Sequence, residues 1–113
     1  MYKLMIFFQT PKDPDRFQRN WQIFLGMVEK LPGVQGEVIT RFEKPLYGGI
    51  PFHMLHEVYF ETREALDEAL KSTAGQAAGM FLQNVTGGRV SILAAEHQFA
   101  KPEDFKRRKN TPA

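Results

Sequence analysis

The spacing of apolar residues changes several times along the first half of the chain. Residues 2–9 are almost all apolar, which predicts a strand covered on both faces. Apolar residues then recur every three or four positions, which predicts an amphipathic helix that starts at an Asp-Pro pair and ends near residue 30. Residues 34–43 predict a second strand with a bulge at Gly36.

The second half of the chain repeats this strand and helix order. Two prolines and two glycines predict a long loop over residues 43–54, and residues 56–60 alternate as a third strand. Thr62 is placed to cap a second helix, and the Thr73 and Gln76 spacing predicts a capping box at the start of a short third helix. A Gly-Gly turn and a last strand over residues 89–96 follow.

This order of elements predicts an α+β domain with the ferredoxin-like βαββαβ arrangement. Its sheet is expected to be antiparallel with the helices on one face, because a hairpin joins the second strand to the third. Residues 1–100 are expected to form this single domain, and residues 101–113 a basic C-terminal tail.

Alternation along the strands predicts an apolar sheet face that no helix covers, which we call the open face. Seven residues are expected on it: Met5, Phe7, Leu55, Glu57, Tyr59, Ser91 and Leu93. An exposed apolar surface of this kind needs a cover, and the simplest is a second copy packed sheet against sheet. We therefore expect a homodimer, a dimeric α+β barrel, that encloses a pocket for an apolar or aromatic small molecule. In the alternative interpretation the same side chains fill the interior and the dimer is purely structural.

Glu57 and Tyr59 are the candidate catalytic residues of this pocket. A carboxylate in an apolar cavity can act as acid or base, and a Tyr hydroxyl can polarise a carbonyl or phenol. The alternative is that Glu57 pairs with Arg41, Arg89 or Lys3 and only seals the dimer. The residues leave open whether the protein is an enzyme.

Three histidines invite a metal or haem interpretation, which the spacing does not favour. His53 and His56 lie three apart in a segment that enters a strand, where such positions are expected to point to opposite faces. His97 ends the last strand and could approach the pocket only if the fold brings it there. No metal site and no cofactor are expected.

Composition narrows the classes of partner. The absence of cysteine excludes disulfides and thiolate metal sites. The net charge of +2 is uneven, because the last thirteen residues carry +3 and the rest about −1. The body of the protein is therefore not expected to bind nucleic acid. The N-terminal apolar run is too short for a signal peptide or a membrane span, so no membrane association and a cytoplasmic location are expected.

Three blocks of sequence resemble the EthD family. They are KLPGV at 30–34, VYFETREAL at 58–66, and GQAAG at 75–79 with NVTGG at 84–88. The resemblance implies a dimeric α+β barrel and a small-molecule-binding protein with an accessory or cofactor-independent role in catabolism, since the founding member is linked to bacterial degradation of ethyl tert-butyl ether. Many members carry His and Pro where this chain has Phe24 and Gly26. The resemblance therefore implies a scaffold without that histidine.

Overall fold

A computed structural model describes residues 1–105 of the chain. The elements are β1 (Tyr2–Gln9), α1 (Pro14–Val28), β2 (Val34–Arg41), β3 (Phe52–Phe60), α2 (Arg63–Lys71), α3 (Thr73–Thr86), β4 (Val90–Glu96) and a 3-10 turn at Pro102–Asp104. All four strands form one antiparallel sheet in the order β2-β3-β1-β4. The expected ferredoxin-like α+β fold is confirmed. The basic residues of the predicted tail from Lys106 to Lys109 lie outside the described residues.

Side-chain caps set where the first two helices begin. Asp13 Oδ1 accepts a hydrogen bond from the Arg16 amide at 3.1 Å, and Pro14 follows as the first helical residue. Thr62 Oγ1 accepts from the Ala65 amide at 3.1 Å, as the sequence predicts. These caps fix the direction in which each chain segment leaves the sheet.

The third helix starts differently from the predicted capping box. Ser72, not Thr73, is the N-cap, and its Oγ accepts from the Gly75 amide at 3.0 Å. The same hydroxyl donates to the Ala69 carbonyl at 2.6 Å, while the Gln76 side chain donates to the Lys71 carbonyl. One serine therefore both ends α2 and begins α3, which forces a tight corner between them.

β3 starts four residues earlier than predicted. Phe52 pairs with Gln9 on β1, and the Phe42 amide donates to the His53 carbonyl at 2.9 Å beyond the end of β2. Neighbouring strands on both sides therefore extend the pairing into a segment whose prolines and glycines predicted a loop. The predicted bulge at Gly36 is confirmed by a register shift between Val34 and Gly36.

The hydrophobic core lies between the helices and one face of the sheet. Its buried residues from the strands and helices are Leu4, Ile6, Phe8, Trp21, Phe24, Val28, Leu31, Met54, Val58, Phe60, Leu66, Ala69, Ala78 and Leu82. On β1 the buried positions are Leu4, Ile6 and Phe8, so the alternation places Met5 and Phe7 on the other face, as predicted. No helix within residues 1–105 is long and apolar enough to cross a membrane.

Gly75 and Gly79 make a matched pair for testing the α2–α3 corner. A Cβ at Gly75 would overlap the carbonyl oxygen of Ala69 and lie 3.0 Å from that of Leu70, whereas a Cβ at Gly79 meets nothing within 4 Å. The close approach of Gly75 is therefore to the end of α2. Gly75→Ala is expected to destabilise the fold by about 3 kcal/mol, because backbone atoms must move. Gly79→Ala is expected to stabilise it by up to about 1 kcal/mol. Urea denaturation measures the free energy of unfolding of both variants. Equal effects of the two substitutions would contradict the close contact between Gly75 and the end of α2.

Candidate functional site

Strand register brings the seven predicted open-face residues together. Met5 lies opposite both Glu57 and Leu93, and Phe7 lies opposite Leu55 and Ser91. Tyr59 follows on the same face of β3, two residues after Glu57. Residues directly opposite in antiparallel strands share a face, so the central strands β1 and β3 carry the middle of this surface.

The parity of β2, which the sequence left undetermined, adds further residues to the open face. Val38 lies opposite Glu57, and Thr40 lies opposite Leu55. Val38 is 44% exposed and Leu93 is 53% exposed, whereas Glu57 is only 7% exposed. The centre of the open face is therefore covered by its own side chains, and its two edge strands present bare apolar groups to solvent.

An ion pair lies at the centre of the open face. Lys3 Nζ is 2.5 Å from Glu57 Oε2, and the side chains are 17% and 9% exposed. Glu57 Oε2 is buried, and the Lys3 ammonium neutralises its charge. Of the three basic partners considered for Glu57, Lys3 is the one in contact, while the Arg89 guanidinium donates to the Thr10 carbonyl.

Tyr59 links this ion pair to a histidine. Its ring centroid lies 5.7 Å from Lys3 Nζ, and the His97 ring meets it edge-on with centroids 5.1 Å apart. His97 reaches this position because its amide donates to the Met1 carbonyl at 2.7 Å, which extends the strand pairing past β4. The open face thus carries a carboxylate, an ammonium, a phenol and an imidazole, a set able to bind and to transfer protons.

The structure corrects the expected placement of the other two histidines. His53 contacts Phe17 edge-on with centroids 5.3 Å apart, and His56 contacts Trp21 with centroids 4.9 Å apart. Both aromatic partners lie on α1, so both histidines lie on the helical side of the sheet and not on opposite faces. The cause is a bulge in β3, where Phe8 pairs with Met54 and Gln9 pairs with Phe52, so that no residue of β1 pairs with His53.

His56 is fully buried and only weakly compensated. Its Nε2 lies 3.4 Å from Glu37 Oε2, and its Nδ1 has no hydrogen-bond partner within residues 1–105. Burial lowers the pKa of His56 from the ordinary value, and the nearby Glu37 carboxylate opposes part of this effect. Because a carboxylate only accepts, Nε2 carries the hydrogen in the neutral ring.

Phe24 stands where many EthD relatives have a histidine, and it packs against His56. Phe24 is 3% exposed, and the two ring centroids are 5.9 Å apart. An imidazole is therefore present beside this position, but it comes from β3 and not from α1. Within the described part of the chain, no group of three or more His, Asp or Glu side chains could hold a metal ion.

The fold matches solved structures over most of its length. A crystal structure of an EthD family protein from Bacillus halodurans superposes with a TM-score of 0.81 at 23% identity, covering 87% of this chain and 99% of that one. The chain has the fold of an EthD family protein. The EthD resemblance found in the sequence blocks is confirmed in this respect. No family model matches the sequence.

Other proteins with this EthD-like fold have varied descriptions. SnoaB, a cofactor-independent oxygenase from Streptomyces nogalater, matches with a TM-score of 0.67 at 11% identity over 89% of this chain and 96% of its own. A dimeric ferredoxin-like protein of unknown function from Jannaschia matches with a TM-score of 0.62 at 16% identity over 86% of this chain and 100% of its own.

One similar sequence is an uncharacterised 11.0 kDa protein of Rhodococcus erythropolis from the thcB-thcC intergenic region. It is 26% identical over 104 residues, which cover 90% of this chain and all of that protein. Since it is itself uncharacterised, this match assigns no reaction.

His56 predicts how stability depends on pH. Because the pKa of His56 is lowered in the folded state, the unfolded chain binds a proton at a higher pH than the folded protein does. The free energy of unfolding therefore falls as the pH drops below about 6.5, and it stops falling once the pH is below the pKa of the folded state. In His56→Leu this loss is expected to disappear, with a slope difference of at most about 1.4 kcal/mol per pH unit. Urea denaturation of both proteins between neutral and mildly acidic pH measures it. If the free energy of unfolding depended on pH in the same way in both proteins, the assignment of this loss to His56 would be wrong. The carboxylates are present in both proteins, so they do not account for a difference between the two curves.

Proposed function

We propose that this protein is an EthD family member that acts as a homodimer and binds an apolar or aromatic small molecule between the two open faces. Its role is accessory or cofactor-independent catabolism of such a compound. The observation that carries the proposal is an apolar sheet face with four polar groups grouped together on it: Lys3, Glu57, Tyr59 and His97. A mostly apolar wall with a few convergent polar groups is the usual composition of small-molecule pockets.

The exposed edge strands support a second copy as the cover. Leu93 on β4 and Val38 on β2 lie at opposite edges of the same face, so a partner packed face to face would bury both. The Jannaschia protein of the same fold is described as dimeric. The two sheets together would form the α+β barrel expected from the sequence.

The cofactor-independent role draws on the chemistry of the open face and on fold similarity. SnoaB, described as a cofactor-independent oxygenase, has the same fold. Glu57 and His97 can take up a proton, and the Tyr59 hydroxyl can donate to a carbonyl or phenolate oxygen. In this proposal Glu57 and Tyr59 are the candidate catalytic residues.

A purely structural dimer is the second candidate, and the Lys3–Glu57 ion pair favours it. The two charges neutralise each other within one chain at 2.5 Å, so neither needs a ligand to be compensated. In that case the side chains of the open face fill the interface.

Leu93→Glu is expected to dissociate the dimer. A carboxylate brought into an apolar interface costs several kcal/mol, which weakens association by at least about a hundredfold. Ile23→Glu on α1 is the matched control, because Ile23 is 54% exposed and Leu93 53% exposed, yet Ile23 lies on the helical side. Sedimentation equilibrium at micromolar concentration measures the difference. A wild-type monomer, or a dimer that tolerates Leu93→Glu, would refute face-to-face assembly.

Glu57→Gln and Tyr59→Phe distinguish the ligand-binding protein from the structural dimer. Each removes one polar group of the open face with little change of shape, and we expect binding of the aromatic probe 1-naphthol to weaken by about tenfold. Isothermal titration calorimetry measures the affinity, and the thermal midpoint of each variant is recorded beside it. A lowered midpoint with unchanged affinity favours the structural dimer. Native mass spectrometry of protein purified from its own host identifies any retained compound.

A further inference from the structure

The segment between β2 and β3 borders an open cavity at one end of the sheet, and neither Lys3 nor Glu57 lines it. The cavity has a volume of about 590 Å³ and is lined by Phe42, Tyr47, Ile50, Phe52 and His53, among others. This volume is within the range of small-molecule pockets. Tyr47 is 100% exposed and Ile50 is 61% exposed, so both side chains present apolar surface to solvent.

A distortion of β3 turns His53, which lines this cavity, toward α1. The bulge at His53 places Phe52 against Phe7 on the open face, with ring centroids 5.2 Å apart, and places His53 against Phe17 of α1. In a regular strand, adjacent side chains would alternate and His53 would share the open face with Leu55. Bulges of this kind redirect a side chain and are frequent beside active sites.

The hydrogen bonding of His53 fixes which nitrogen is available. Nδ1 lies 3.1 Å from the Phe8 carbonyl oxygen, which can only accept, so Nδ1 carries the hydrogen in the neutral ring. Nε2 is then the lone-pair nitrogen, and within residues 1–105 it has no hydrogen-bond partner. The Phe8 carbonyl would also stabilise the imidazolium that forms when Nε2 takes a proton.

The remaining walls define what could occupy the cavity. Glu43 and Lys44 line it with opposite charges, so these two side chains give the wall no net charge. Several other lining side chains are aromatic or aliphatic. His53 itself contacts Phe17 on α1 and the carbonyl oxygen of Phe8 on β1. Flat aromatic walls favour a planar aromatic ring, and a single ring nitrogen as acceptor favours a hydrogen-bond donor on that ring.

We propose that this cavity binds a planar aromatic compound with an acidic hydroxyl, and that His53 acts as its base. The hydroxyl O–H bond breaks, the proton passes to Nε2, and the electron pair stays on the oxygen as a phenolate. The products are an imidazolium held by the Phe8 carbonyl and a bound phenolate. No oxidant or other reactant is needed for this step, and none of the four polar groups of the open face lines the cavity.

The test uses 4-nitrophenol, whose ionised form is yellow. At a pH where the free probe is protonated, we expect the protein to raise the phenolate absorption band in a saturable manner. His53→Asn keeps a donor for the Phe8 carbonyl but removes Nε2, and should abolish the band. Gln18→Asn, at an exposed position of α1 that does not line the cavity, should leave it unchanged. A band retained in His53→Asn, or lost in Gln18→Asn, would overturn the proposal.

A second pair of variants keeps the test valid if His53→Asn does not fold. Ile50→Glu places a negative charge on the cavity wall and should weaken 4-nitrophenol binding by about tenfold or more. Leu46→Glu is the matched control, because Leu46 is 95% exposed in the same segment and does not line the cavity. 4-Nitroanisole, which lacks the hydroxyl hydrogen, should bind at least about tenfold more weakly than 4-nitrophenol. Equal effects of the two substitutions, or equal affinity for the two probes, would refute the site.

Discussion

The antiparallel pairing of β1 with β3 places every other feature of the molecule. These two central strands run side by side from Tyr2 opposite Phe60 to Gln9 opposite Phe52. Because both strands are apolar on both faces, their pairing builds two surfaces at once. The helices cover one surface and make the core, whereas the other remains open with the Lys3–Glu57 pair near its centre. The need to cover that second surface is the physical basis of the proposed dimer.

Polar groups that interrupt an apolar surface are the strongest pointers to function in this chain. Lys3 and Glu57 compensate each other, but His56 leaves Nδ1 buried without a partner in residues 1–105. Such a group costs free energy unless something offsets it, and here packing between Trp21 and Phe24 holds the ring in place. An imidazole from β3 therefore lies beside Phe24 of α1.

Irregular backbone determines the two features that differ most from expectation. Ser72 joins two helices without a linker, so Gly75 passes against the end of α2 where no side chain fits. The bulge at His53 puts the adjacent side chains of His53 and Met54 on the same side of the sheet, and His53 lines a cavity beside the β2–β3 segment. Both depend on contacts with a neighbouring element, which a local spacing of residues does not contain.

The sequence by itself determined the order of elements, the ferredoxin-like class and seven residues of the open face, because apolar periodicity and alternation are local properties of strands and helices. It also supplied the EthD resemblance through three ordered blocks. Only the tertiary structure decided that Glu57 pairs with Lys3, that His97 reaches Tyr59, and that His53 turns toward α1. Those placements depend on strand register, on pairing past the end of β4 and on a bulge that no glycine marks. Each is set by hydrogen bonds between segments far apart in the chain.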